Sequence, residues 1–203
     1  MTNLEDVFVT EGAPNTTFVK PSNYSDLLID IRTKGKPVII DGQSGTGKTT
    51  TVLKILEELY PDTAPPKILT PRNPNDIQKI REFSLDSSGT FIIDDFHRLD
   101  VEDRIKIADL AKFIAEMEKN ENTPKIVIIG INDVGVGLIK IVPDIAKRLG
   151  IHRILPGTES SIVDLINKGC KALNIKIIFP EKIANISRGD YWLTQKLCKT
   201  ICS

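Results

Sequence analysis

Asp41-Gly42-Gln43-Ser44-Gly45-Thr46-Gly47-Lys48-Thr49-Thr50 is the stretch on which the fold turns. From Gly42 to Thr49 it satisfies the pattern of a phosphate-cradling loop: glycine, four free positions, glycine, lysine, then serine or threonine. The glycines let the backbone curl so that successive N–H groups point at one anion. Before the loop, Val38-Ile39-Ile40 is a short apolar run of the buried-strand kind; after it, Val52, Ile55, Leu56 and Leu59 recur at helical spacing until Pro61. A helix that starts here presents the positive end of its dipole to the same anion. Lys48 would supply a mobile charge for the β- and γ-phosphates, and Thr49 a hydroxyl for Mg²⁺, which keeps most of its shell as water and phosphate oxygen. The expected binding set is therefore Gly42, Gln43, Ser44, Gly45, Thr46, Gly47, Lys48, Thr49 and Thr50, with Thr49 on the metal.

Outward from the loop the rhythm repeats. Lys67 to Thr70 reads as a strand, Pro74 to Phe83 as a helix, and Thr90 to Asp94 as a strand. Val101 to Lys119 reads as a long amphipathic helix with Ile105, Ala108, Ala111, Ile114 and Ala115 on one face. Lys125 to Gly130 is another buried strand. A glycine-rich turn at Gly135 and Gly137 precedes a helix over Leu138 to Leu149, and Arg153 to Leu155 closes the series as a fifth strand. Apolar strands that alternate with helices predict an α/β fold: a parallel five-stranded sheet with helices on both faces. Beyond Pro156 only helices are expected: one from Thr158 with Ile162, Leu165, Ile166 and Leu173, then Pro180 to Ser187 and Asp190 to Ile201. The organisation predicted is an N-terminal arm and first helix over 1–36, a core over 37–156 and a small helical lid over 157–203. The arm, Thr2 to Pro21, shows no period and reads as extended; Asn23 to Gly35 reads as the first helix.

Phe91-Ile92-Ile93-Asp94-Asp95 is an apolar strand that ends in two carboxylates. A carboxylate at the end of a strand near the phosphate loop can hold a metal's water shell, which is the role expected of Asp94. Asp95 stands where a base or water-positioning carboxylate would be, or caps the next loop. His97 has no second ligand at metal spacing and reads as a loop histidine.

The chain has 203 residues, 40% of them hydrophobic and 27% charged, enough apolar material for a core and too much for disorder. Lys+Arg and Asp+Glu are both 27, so no net field draws the molecule to nucleic acid or to an acidic membrane. The N-terminus lacks a secretion signal, and the longest apolar runs are far short of a membrane helix. Three cysteines, Cys170, Cys198 and Cys202, argue for a reducing compartment, and the cytoplasm is expected. Cys198 and Cys202 are placed in the lid's core with Leu197 and Ile201 rather than on a metal. Trp192, the single tryptophan, is also placed in that core.

Taken together, these residues resemble the additional-strand class of P-loop ATPases, and more narrowly the AAA+ superfamily and its STAND relatives. The resemblance runs from about Phe18 to Cys202, with Gly42 to Thr49 as Walker A and Phe91 to Asp95 as Walker B. It implies that the strand Ile126 to Ile129 lies between the two Walker strands, so that Asn132 is a sensor of the γ-phosphate or the attacking water. It implies that Arg148, in the segment Asp144 to Pro156 similar to origin-recognition and transposition-helper ATPases, is an arginine finger toward a neighbouring subunit; Lys147 and Arg153 compete for that role. Phe18 and Val19 match the arm that packs on adenine, although Lys20-Pro21 replaces the usual Gly-Arg. In the lid Trp192 stands where a second sensor arginine is usual, so that either Arg188 reaches in from just before the turn or the lid binds ADP without sensing the γ-phosphate well. The implied catalytic set is Lys48, Asp95, Asn132 and Arg148.

The function this implies is binding and hydrolysis of ATP to ADP, with Mg²⁺, in a module whose nucleotide state controls assembly with copies of itself or with a partner chain. The alternative is a STAND-type signalling switch with slow or no turnover. A small-molecule kinase is disfavoured because no paired arginines follow the loop's helix. DNA association rests on the family analogy alone.

Overall fold

The computed structural model of the protein describes residues 2–64, 66–87, 89–131, 134–141 and 147–203. Two compact units emerge from the packing: one comprises 23–42 and 55–153, the other 1–22, 43–54 and 154–203.

The first unit holds the sheet. Its strands are β1 (Val38–Asp41), β2 (Ile68–Leu69), β3 (Thr90–Ile93), β4 (Lys125–Ile129) and β5 (Gly150–Arg153), in the order β2-β3-β4-β1-β5 and parallel throughout. This is the α/β class expected, and β4 does lie between the two strands that carry the loop and the paired aspartates. All residues of β1 and β4 are buried, because a central parallel strand is covered on both faces. The helices of this unit are α2 (Tyr24–Arg32), α4 (Pro74–Glu82), α5 (Val101–Glu116) and α6 (Val134–Ile141). Ile80 of α4, Ile107, Ala111 and Ile114 of α5, and Leu138 of α6 close one core with Ile39, Ile93, Ile126 and Ile128 of the sheet.

The end of α2 is fastened by a buried lysine. Lys125 Nζ donates to the carbonyls of Asp30 (2.6 Å), Thr33 (2.9 Å) and Lys36 (2.5 Å), tying together the last turn of the helix and the chain that leaves it. Asp30 binds Lys36 Nζ at 2.6 Å and His152 Nε2 of β5 at 2.9 Å. Burial pushes the Asp30 carboxyl up, but these two partners outweigh it and hold the group below the usual range.

The second unit gathers α1 (Leu4–Val7), α7 (Glu159–Leu173), α8 (Pro180–Ser187), α9 (Tyr191–Cys202) and the first turns of α3 (Lys48–Leu59), a helix that continues into the other unit. Each long lid helix starts on a side-chain cap: Thr158 accepts from Ser161 N and Asp190 accepts from Leu193 N. Val7 and Phe8 are fully buried among Ile162, Leu165, Ile166, Ile183 and Cys198. Gly169 makes room for the Phe8 ring, since a Cβ there would lie 2.3 Å from Phe8 Cζ.

Several expectations change. The arm is not wholly extended: it forms α1 and supplies Phe8 to a core. Gly135 and Gly137 lie inside α6, not in a turn before it, and the last strand is Gly150–Arg153, ending before Leu155. Ile105 and Ile201 are exposed, each one step off the buried stripe of its helix. Trp192 is half exposed, with its indole N–H donating to Thr10 O at 3.0 Å, so it closes the rim of the helical unit and does not fill its core. Among the described residues no helix is long and apolar enough to cross a membrane.

Candidate functional site

The loop between β1 and α3 has the backbone its glycines forecast. Gly45 and Gly47 adopt φ of +78° and +81°, a region open to glycine at little cost. Gly42 N–H donates to Asp41 Oδ1 at 2.9 Å, which holds the turn out of β1. Thr46 Oγ1 donates to Gln43 O at 2.9 Å and Lys48 Nζ to the same oxygen at 2.7 Å. The ammonium of Lys48 is thus buried within the loop and aimed along it, where an incoming phosphate can exchange for a neutral carbonyl. Gln43 and Ser44 are exposed at the tip, whereas Thr49 and Thr50 are half buried on the first turn of α3.

Within the same unit the lid helix α9 is seated on this loop. Tyr191 N–H donates to Gly45 O at 3.0 Å, and the Asp190 carboxylate packs so closely that a Cβ on Gly45 would lie 2.3 Å from its Oδ1. Glycine is required there twice, by conformation and by room. Burial pushes the Tyr191 phenol up, partly offset by its hydrogen bond to Ser161, so it stays protonated at neutral pH.

Beside the loop lies a cleft. Phe18, Val19 and Pro14 of the arm and Leu165 of α7 give it an apolar wall; Gly47 and Thr50 form the loop side; Tyr191 and Gln195 of α9 complete it. The structure therefore brings Phe18 and Val19 together with Thr46, Gly47 and Thr50 around one cleft with a largely apolar lining. Gln195 was not legible as a site residue. It is 3% exposed, its Nε2 donates to Thr17 Oγ1 at 2.6 Å, and its Oε1 is buried without a hydrogen bond.

The paired carboxylates belong to the sheet unit. Asp94 N–H donates to Leu69 O at 2.9 Å, continuing the β2–β3 ladder, and Asp94 Oδ1 accepts from Asp95 N at 2.7 Å. Asp95 has a left-handed backbone, φ +53°, at the start of the 3₁₀ turn Phe96–Arg98. Its Oδ2 is bound by Arg72 Nε at 2.5 Å, an ion pair that joins the loops after β2 and β3. Arg72 is the second residue missed by sequence reasoning, because nothing local marks a partner 23 positions away.

Asn132 lies outside the described residues. Arg148 pairs with Glu116 at the end of α5 at 2.6 Å, and both side chains remain more than a third exposed. Arg188 is exposed in a left-handed cap after α8. Burial pushes the Cys198 thiol up to about 12, so it is no ready ligand or nucleophile. Among the described residues no group of three His, Cys, Asp or Glu converges as a metal site.

Comparison with known proteins places this arrangement. Domain III of the Thermotoga maritima replication initiation protein DnaA superposes with a TM-score of 0.56 at 15% identity, covering 96% of this chain and 87% of that one. The Aeropyrum pernix ORC2 protein in its ADP form gives 0.63 at 13% identity, covering 96% and 65%. Cdc6p from Pyrobaculum aerophilum gives 0.64 at 19% identity, covering 94% and 63%. The chain thus spans less than two thirds of the ORC2 and Cdc6p chains, and at these identities the likeness is one of fold. A search of curated protein sequences found no match. The model of one family, described as novel STAND NTPase 3, matches residues 18–134, from the apolar arm through the loop and the paired aspartates to the start of α6. With that match over more than half its length, the chain belongs to the novel STAND NTPase 3 family.

Proposed function

We propose that this chain binds ATP with Mg²⁺ and works as a nucleotide-controlled module, its bound state setting whether it assembles with copies of itself or with a partner chain. The observation that carries the reading is the seating of α9 on the glycine loop: Tyr191 N–H on Gly45 O, with an apolar cleft alongside. A nucleotide whose phosphates occupy the loop and whose base enters the cleft touches the arm, the loop and the lid helices at once, so binding changes what holds the lid. The loop amides and Lys48 would carry the phosphates. The metal ion, held by Thr49 and Asp94, would supply charge neutralisation between the phosphates.

Hydrolysis, in this reading, is slow. Asp95 is the carboxylate for orienting water, Asn132 the polar group beside the γ-phosphate and Arg148 the charge offered to a neighbour's nucleotide. The Arg72 pair restrains Asp95, which favours a switch whose information lies in nucleotide exchange over a motor that cycles rapidly. The ADP form of the structurally similar ORC2 protein supports the choice of adenine nucleotide.

Titration calorimetry of the purified chain with ATP and Mg²⁺ tests this. Saturable heat is expected, with loss of at least tenfold in affinity for Lys48→Ala, since a charge-assisted contact to phosphate is removed. Absence of binding by the folded chain, with no nucleotide retained from purification, would overturn the proposal.

A further inference from the structure

We infer that Gln195 selects the base: its Oε1 accepts a hydrogen from the exocyclic amino group of adenine, making the site specific for adenine over guanine nucleotides. This inference rests on the nucleotide-binding reading above and adds to it the residue that reads the base.

The orientation of the amide is set by its neighbours. Thr17 Oγ1 donates its one hydrogen to Val7 O at 3.2 Å, so toward Gln195 it can only accept. The amide NH₂ must therefore face Thr17, at 2.6 Å, and the carbonyl oxygen must face away from it. That oxygen has no partner, although the residue is 97% buried and lines the cleft. A buried acceptor left unmade costs free energy that a donor on a ligand recovers, so the site is built to receive an N–H.

The rest of the lining decides which base. Thr46 and Thr51 spend their hydroxyl hydrogens on Gln43 O and Gly47 O, at 2.9 and 2.8 Å. Phe18, Val19 and Leu165 offer only apolar side chains. The vacant Gln195 Oε1 meets the exocyclic amino group of adenine. Guanine carries a carbonyl oxygen where adenine has its amino group, and would set one acceptor against another at Gln195 Oε1. Val7, Thr17 and Gln195 also join α1, the arm and α9, so the base contact is braced from three segments of the helical unit.

The experiment compares ATP, GTP and purine riboside triphosphate, which lacks only the 6-amino group, by calorimetry on the wild-type chain and on Gln195→Leu, with circular dichroism confirming that the variant folds. On the wild type, ATP is expected to bind about tenfold more tightly than the deaminated analogue, and GTP to bind more weakly than ATP. In Gln195→Leu the ratio of ATP to analogue should fall to about one, whatever the loss of the Thr17 contact does to both affinities. If the wild type binds ATP and the analogue equally, or if the ratio survives in Gln195→Leu, the inference about Gln195 is wrong while nucleotide binding stands. If the folded wild type binds none of the three, both fall. The comparison on the wild type needs no substitution, so an unfolded variant does not protect the idea.

Discussion

Arg72 holds Asp95 through a single Nε to Oδ2 contact of 2.5 Å, and the two side chains differ in surroundings: the guanidinium side chain is 62% exposed, the carboxylate 21%. The carboxylate beside it raises the Arg72 pKa further, so the guanidinium stays charged. An ion pair with one partner in water is readily screened by salt. The restraint on Asp95 is therefore one that ionic strength or a bound ligand can loosen.

If Asp95 orients water in slow ATP hydrolysis, freeing it should speed turnover. Arg72→Ala is expected to raise the steady ATPase rate a few-fold at low salt and to remove most of its salt dependence, while Asp95→Asn should lower it by about 10²-fold, the scale of a lost general base. Phosphate release measured at two salt concentrations checks this. A lower rate in Arg72→Ala would mean that the arginine assists the reaction instead of restraining it.

The core of the helical unit makes a sharper structural prediction. Alanine at a helical glycine usually stabilises by about 1 kcal/mol, but a Cβ at Gly169 would lie 2.3 Å from Phe8 Cζ, and Phe8 is fully buried. Overpacking of this kind costs about 1–3 kcal/mol, so Gly169→Ala should destabilise the chain. In a Phe8→Leu background, where the ring is gone, the same change should become neutral or stabilising. Urea midpoints of the four proteins form a double-mutant cycle whose coupling term measures the contact.

Much of the sheet was legible because buried parallel strands are written as apolar runs: Val38 to Ile40, Phe91 to Ile93 and Ile126 to Ile129 could scarcely be anything else. The phosphate loop was legible because its chemistry is local. What escaped depended on distant partners. Phe8 sits in a segment without period, and only packing against α7 shows it to be core. Gly135 and Gly137 suggested a turn, but tertiary burial of Val134 and Leu138 overrides the weak helix propensity of glycine. Gln195 and Arg72 owe their interest to a vacant acceptor and to an ion pair, neither of which sequence spacing encodes.

Lys125 should leave a signature in the pH dependence of stability. Burial pushes its ammonium down to about 7, opposed by Asp30 and reinforced by Lys36 and Lys119. An unfolded lysine titrates near 10.4. Between about pH 7 and 10 the unfolded chain therefore binds more protons at this position than the folded one, and this group's contribution to stability rises with pH across that window. Lys125→Met should flatten the rise. It should also cost about 1–3 kcal/mol at neutral pH, because the carbonyls of Asp30, Thr33 and Lys36 lose their donor. Urea midpoints of the two proteins at pH 7 and pH 9 check both parts. A steeper rise in the variant than in the wild type would reverse the assigned sign.

Arg148 bears on assembly. Within one chain it is engaged with Glu116 at 2.6 Å, yet nearly half its side chain remains in solvent, so it can change partners without first being unburied. A phosphoryl group that develops charge offers a guanidinium a stronger bidentate partner than one surface carboxylate does. If copies of the chain assemble side by side and Arg148 reaches a neighbour's nucleotide, specific ATPase activity should rise with protein concentration. Arg148→Ala should abolish that rise while sparing ATP affinity in dilute solution, since the finger acts only on an adjoining subunit. Glu116→Gln, which releases the arginine without removing it, should shift the rise to lower concentration. Activity proportional to protein at all concentrations, equal in all three proteins, would show that Arg148 does no more than tether the end of α5.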